Sequence, residues 1–352
     1  MATLRSDIII PEVFTPYVLE QTTQRDAFLA SGVVQPLAEL NASEGGDFIN
    51  VPFWKANLSG DFEVLSDSSS LTPGKITADK QVGVILHRGR AFEARDLAAL
   101  AAGSDPMAAI GAKLGEYIAN QRQKDLISCL KGVFGSLNAN TSSSAFFNLS
   151  IDSESGDTPT ALSPRHVAEA RAILGDQGEK LTAVAMHSKV YYDLVERRAI
   201  DYVSTDDARG TSTTQSGGSM VEAYGSPSVP TYMGLRVIVS DDVETAGSGA
   251  STEYGTYFFT QGAVASGEQA AITTEVDRDI LAKSDAMSFD AHYCYHPVGA
   301  KWAVTTVNPT RAQLETVGNW SKVYELKNIG IVRATNVSNL SLIHISEPTR
   351  PY

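Results

Sequence analysis

Residues 46–137 constrain the fold more than any other stretch, because they join a long two-armed β-ribbon to a single long helix. The first arm reads Phe48-Ile49-Asn50-Val51-Pro52-Phe53-Trp54 and the return arm Gln81-Val82-Gly83-Val84-Ile85-Leu86-His87-Arg88. Between them, Ser66-Asp67-Ser68-Ser69-Ser70 and Thr72-Pro73-Gly74-Lys75 supply turn and loop chemistry. Two strands alone bury too little apolar surface to offset the entropy of ordering them. An arm of this length therefore asks for support from outside its own domain, and a neighbouring subunit is the simplest source. Phe53, Trp54, Leu65, Leu71, Lys75, Ile76 and Lys80 are the residues expected to make that contact.

A short helical stretch is expected over 94–100, ended by Gly103. Ser104-Asp105-Pro106 then opens the long helix: Asp105 can accept from unpaired N–H groups, and proline at the first helical position has no donor to lose. Ile110, Leu114, Tyr117, Leu126 and Leu130 recur at helical spacing and form its expected core stripe, with Lys113, Glu116, Gln123 and Asp125 interspersed. The helix is expected within 104–137, and about thirty residues at 1.5 Å each give it a length of about 45 Å.

The rest of the chain reads as shorter elements. Residues 1–40, punctuated by Pro11, Pro16 and Pro36, read as an arm, with one helix over 21–31 stopped by Gly32. Residues 138–160 are polar and loop-like. Ser163-Pro164 opens a helix that Gly175 stops, 181–186 reads as a buried strand, and Ser188 is expected to cap a second helix through Arg198. A Ser/Thr/Gly/Asp loop follows over 203–229. Strands are expected at 235–239 and 257–259, and 270–306 is strand-rich, with a turn at Pro297 and Gly299. The tail at 340–352 looks like the in-frame translation of a sequencing-library adapter and is set aside. Resequencing the locus across its 3′ end tests that expectation.

Composition excludes several classes. At 352 residues, 43% hydrophobic and 20% charged, the chain is globular and long enough for one large or two medium domains. A net charge of −13 argues against broad phosphate binding and is enough to keep the protein soluble. Cys129 and Cys294 have no framework spacing, so a reducing compartment is expected. The Ile8-Ile9-Ile10 run ends at Pro11, so no signal peptide is read, and no stretch is long enough to span a membrane. The chain is expected to be soluble and cytoplasmic when made.

Chemistry is sparse. No dinucleotide, nucleophile-elbow or zinc-helix motif occurs, and Pro73-Gly74-Lys75-Ile76 lacks the glycine and hydroxyl of a phosphate loop. Asp290, His292, Cys294 and His296 alternate on one strand, but residues about 7 Å apart cannot all reach one zinc. No metal and no cofactor are expected. Asp241-Asp242 and Glu275, near Asp277 and Asp279, are the carboxylates an acidic hydrolase would use. Acid/base work needs environments that push such pKa values apart, and strand-end carboxylates are more commonly structural.

The ordered set of features resembles the major capsid proteins of tailed bacteriophages, with the Hong Kong 97-type fold. The resemblance rests on Asp7-Ile8-Ile9-Ile10-Pro11-Glu12-Val13-Phe14, Ala30-Ser31-Gly32-Val33-Val34, the ribbon and helix, and Gly234-Leu235-Arg236-Val237-Ile238-Val239-Ser240-Asp241-Asp242. Phe259-Thr260-Gln261-Gly262-Ala263 and His296-Pro297-Val298-Gly299-Ala300-Lys301-Trp302 complete it. It implies an α+β chain with an N-terminal arm (1–45), an extended β-hairpin loop (46–95) and a peripheral domain carrying the spine helix (96–160). An axial domain (161–268) and returning peripheral strands (269–335) would follow. The implied role is an icosahedral shell of pentamers and hexamers around double-stranded DNA, in which the acidity keeps an inner wall from sticking to nucleic acid. The implied partners are further copies, a separate scaffolding protein, a portal and a decoration protein, with DNA held without sequence reading and no membrane. The implied location is the virion, after assembly in the host cytoplasm. An encapsulin-type nanocompartment shares the fold and is the alternative; an acidic hydrolase is the alternative from another class. Deletion of residues 59–80 is expected to abolish shells while leaving a folded chain.

Overall fold

The computed structural model describes residues 31–41, 45–55, 75–96, 106–135, 144–151, 159–204, 228–248 and 252–338, together with Phe28, Phe62, Glu63 and Leu137. The expectations for residues 1–27, Leu65, Leu71, Ser104-Asp105, the centre of 203–229 and the tail at 340–352 lie outside them. The chain runs through β1 (Val34–Pro36), β2 (Phe48–Trp54), β3 (Ala78–Val84), β4 (Leu86–Arg95) and the long helix α1 (Pro106–Phe134). Then come β5 (Ser150–Ile151), α2 (Pro164–Leu174), β6 (Leu181–Met186), α3 (Ser188–Glu196), β7 (Asp201–Ser204), β8 (Ser228–Tyr232) and β9 (Leu235–Val239). It finishes with β10 (Thr245–Ala246), β11 (Glu253–Thr260), β12 (Val264–Asp279), β13 (Ser284–Pro297), β14 (Ala300–Trp302), β15 (Trp320–Lys322) and β16 (Ile331–Val337). Among the described residues no helix is long and apolar enough to cross a membrane.

Two main sheets share one core. A mixed eight-stranded sheet has the order β5-β16-β11-β6-β9-β8-β7, with β10 on β11. Its centre is β11, where Tyr254 to Phe259 are all buried, so this strand is covered on both faces rather than on alternate residues. The second sheet has the order β1-β12-β13-β4. The core is continuous from Val184 and Phe258 on the first sheet to Phe289 and Tyr293 on the second, with Leu114, Leu126 and Leu130 of α1 in the same cluster. Along α1, Ile110 and Tyr117 are half-buried, and Tyr117 meets Phe92 and Phe289 edge-on. From Asp125 to Phe134 only Lys131 escapes full burial, so the helix loses its polar face there.

Four local expectations are corrected. The return arm is not one strand: Ala78–Val84 pairs with β2, whereas Leu86–Arg95 pairs with β13, from Leu86↔Tyr293 to Arg95↔Ser284. Buried Ile85 marks the change of partner. Ala94 and Arg95, expected in a short helix, end β4, because ladder partners on β13 override a weak local propensity. Within the stretch read as an arm, β1 pairs in parallel with β12, and Phe28, Val33 and Leu40 are buried, so this part belongs to the body. The cap of α3 is His187, whose ring nitrogen accepts from the Lys189 N–H, rather than Ser188. At α2, Ser163 and His166 form the reciprocal capping pair, and Gly175 takes φ 59° beyond its end.

Candidate assembly surface

The ribbon β2–β3 has two unlike ends. At its root, Ile49 and Ile85 pack with Leu40, Ala265 and Cys294, and Val51 and Val298 close the cluster. A buried amide secures this root. The Gln81 Oε1 accepts from the Gly299 N–H (3.0 Å) and faces the His296 Nε2 (3.2 Å), while its Nε2 donates to the Tyr324 hydroxyl (2.7 Å). Burial holds the His296 imidazole neutral, lowering its pKa to about 4. Phe53 stands edge-on to Tyr324 at 4.8 Å. The expectation that the whole arm finds its support elsewhere is therefore corrected for the root, which its own body holds.

Outward, burial fades. Trp54, paired with Ala78 at the last register position, is 68% exposed, Ile76 is 48% exposed, and Phe62 is fully exposed. Lys75 and Lys80 are exposed as well. A 2.8 Å ion pair between Lys55 and Asp79 bridges the strands, and the lysine holds the Asp79 carboxyl below its ordinary pKa. Of the sequence-nominated contact residues, Trp54, Lys75, Ile76 and Lys80 present free surface, and Phe53 has an intramolecular partner.

Two buried charge centres cross-link elements of the body. Asp125, fully buried on α1, accepts from the Arg311 Nε (2.5 Å), the Tyr293 hydroxyl (2.6 Å) and the Arg88 Nε (3.3 Å). One carboxylate thus ties α1 to β13, β4 and the helical turn Arg311–Leu314. Arg88 also donates to the Asn308 side chain and the Pro309 carbonyl. Burial and the adjacent Asp125 charge push the Tyr293 phenol well above its ordinary pKa. At the far end of α1, buried Arg333 donates to the Gly135 carbonyl and to Glu244 (3.4 Å), with its guanidinium 5.3 Å from the Phe134 ring centre. A cation there satisfies a free carbonyl and opposes the negative end of the helix dipole. Burial raises the Glu244 pKa and Arg333 opposes that rise, while Leu137 N–H and the Tyr257 hydroxyl donate to the same carboxylate.

The residues nominated for other chemistry are scattered. Asp241, after β9, accepts from the Ser188 N–H at the start of α3, and Asp242 accepts from the Gln123 amide (2.9 Å). Glu275 is exposed on β12, in the other sheet. Asp290 is exposed, His292 lies 2.8 Å from His87 between ring nitrogens, Cys294 belongs to the ribbon-root cluster, and His296 faces Gln81. Among the described residues no three His, Cys, Asp or Glu side chains gather as a metal site would require.

Sequence reasoning missed Gln81, Asp125, Arg333 and Glu244 as organising residues. A weak signal existed for Arg333 and Asp125. Arg333 follows Ile331-Val332 inside an apolar strand, and Asp125 directly precedes Leu126-Ile127 in the most buried part of α1.

Comparison with known proteins fits this geometry. The family model for Gp13-like proteins, described as major capsid protein 13-like, matches residues 17–330. The major capsid protein of Bacillus phage SPP1 is 36% identical over 338 residues, covering 93% of this chain and 96% of that protein. Among solved structures, the cyanophage Pam1 capsid asymmetric unit matches with a TM-score of 0.54 at 12% identity, over 90% of this chain and 93% of that one. The capsid of Ralstonia phage GP4 also scores 0.54, at 11% identity over 88% of each chain. At such low identity these two likenesses speak to the fold alone.

Proposed function

The chain belongs to the Gp13-like family of major capsid proteins of tailed phages, with the Hong Kong 97-type fold, and on that premise we propose how it builds its shell. Copies assemble as pentamers and hexamers of an icosahedral shell around double-stranded DNA, in which each ribbon tip lies on a neighbouring copy. The observation that carries this reading is the contrast within one element. The root is locked by Gln81 and the Ile49–Ile85 cluster, while the tip presents Trp54, Phe62 and Ile76 to solvent. A held root aims the tip, and the tip supplies the adhesion. Burying three large apolar side chains at about 2 kcal/mol each gives a contact that is modest singly. Repeated around a closed symmetric assembly, it becomes decisive.

Residues 1–45 then serve as the arm, anchored from β1 inward, and 46–95 as the extended loop. Residues 96–160 with 269–335 form the peripheral domain, and 161–268 the axial domain. The Asp125 and Arg333 centres keep the body rigid while the ribbon adapts to five- and six-fold environments. The role is structural, without catalysis or cofactor. Scaffolding, portal and decoration proteins are the expected partners, and the net charge of −13 suits a wall that meets DNA without gripping it. The virion is the expected location, after assembly in the host cytoplasm. A family relative from a phage favours this reading over the nanocompartment alternative.

The test is electron microscopy of the overexpressed chain, alone and with a scaffolding protein from the same locus. Closed shells are expected. Replacing the tip with Trp54→Asp and Ile76→Asp should leave a folded chain and abolish shells; shells of ordinary yield from that variant would remove the ribbon tip from the mechanism.

A further inference from the structure

A cleft of about 130 Å³ opens between α1 and the β4–β13 face, and Arg88, Arg90, Arg122 and Arg311 all line it. The carboxylates engaged by these arginines are Asp125 and Glu268, so four guanidiniums face two acids in a chain whose net charge is −13. Asp290 does not redress the balance. Phe289, Ala291 and Tyr293 line the cleft, so Asp290 lies on the other face of β13.

The guanidiniums are not equally committed. Arg88 uses its donors on Asp125, Asn308 and Pro309, and Arg122 pairs with Glu268 at 2.8 Å while lying 4.8 Å from the Tyr293 ring centre. Arg311, 39% exposed along its side chain, spends Nε on Asp125 and Nη2 on Gln121. Arg90 is exposed, has no carboxylate partner among the described residues, and rests 5.9 Å from the Phe92 ring centre. Free donors on Arg90 and Arg311 therefore rim a small cleft, positioned for charge-assisted hydrogen bonds to an incoming oxyanion.

We propose that this cleft receives one carboxylate side chain from a second copy of this chain. The cleft is small enough to suit a single oxyanion. Packaged DNA is the weaker occupant, because a phosphate backbone is followed by a stripe of cations rather than one pocket. The chain itself has 41 acidic residues against 28 Lys and Arg, and a shell places those carboxylates beside every copy. The proposal rests on the shell reading above, and fixes the acceptor surface on the body rather than the element that reaches it. Such a pair sets the register between neighbours more than it adds affinity.

Two measurements on the full-length chain test it, with wild-type shells as the control; absence of wild-type shells would count against the shell reading and not against the cleft. In the first, Arg90→Glu should keep the wild-type urea unfolding midpoint before assembly and lower shell yield about tenfold, with Arg90→Lys restoring most of it. In the second, a photo-crosslinking residue at position 90 is carried into shells mixed from isotope-labelled and unlabelled copies. A crosslink joining the two isotopic forms at an Asp- or Glu-containing peptide supports the proposal. Wild-type shell yield from Arg90→Glu, or a crosslink confined to one copy or made to DNA, overturns it.

Discussion

His296 connects β13 to the ribbon root through Gln81, and its burial makes the contact pH-sensitive. Its folded-state pKa of about 4 lies below the ordinary 6.5, so between those values the unfolded chain holds a proton that the folded chain refuses. Stability contributed by the neutral ring is therefore present above pH 6.5 and lost as pH falls toward 4. The linked loss between about pH 7 and about pH 5 is roughly 2 kcal/mol, measurable as a fall in urea midpoint. His296→Asn should flatten that difference. At the other centre, Asp125→Asn leaves Arg88 and Arg311 sharing a neutral amide. Removing the charge from such a pair costs about 3 kcal/mol, with solvent reaching both arginines holding it to the lower end of the usual range. Guanidinium chloride unfolding of the unassembled chain checks this value. None of these roles was legible from residue type. Gln81 and His296 are separated by most of the chain, and only the fold makes them hydrogen-bond partners.

Elements were more readable than partners. The helix was legible because apolar recurrence over Ile110 to Phe134 admits no other period, and the structure ends it at Phe134 with Gly135 at φ 82° beyond. Its burial on every side after Asp125 was not legible, since interspersed polar residues normally mark a solvated face. The same burial explains Gly132. A Cβ there would lie 1.8 Å from the Leu314 carbonyl oxygen and 2.4 Å from the Trp320 indole nitrogen. Alanine gains about 1 kcal/mol in helix propensity but overpacks backbone that cannot yield, at about 3 kcal/mol. Gly132→Ala should therefore lose about 2 kcal/mol in a denaturant melt with an unchanged slope. The sequence locates the ribbon, but its extended pattern runs unbroken through Ile85, where the structure has two strands with different partners. Residues 81 to 88 keep an extended pattern throughout, so nothing local marks the change from β2 to β13 as partner.

For the whole molecule, the two-ended ribbon predicts a separation of folding from assembly. Gln81→Leu should loosen the root, lowering both stability and shell yield, because it removes the hydrogen bonds to Gly299, His296 and Tyr324. The tip variants at Trp54 and Ile76 should leave the melt of the unassembled chain within about 0.5 kcal/mol of wild type and abolish shells. Equal loss of stability in both sets would mean that the tip, too, is held by its own body. The chain by itself determined its α+β class, the long helix, the ribbon and the absence of motif chemistry, because periodicity and turn residues act over a few positions. The tertiary structure alone decided that β3 and β4 part company, that Asp125 binds two arginines, that Phe53 turns inward and that four arginines share one cleft. Those outcomes depend on residues far apart in the chain meeting in space, and no local pattern records where a distant partner will stand.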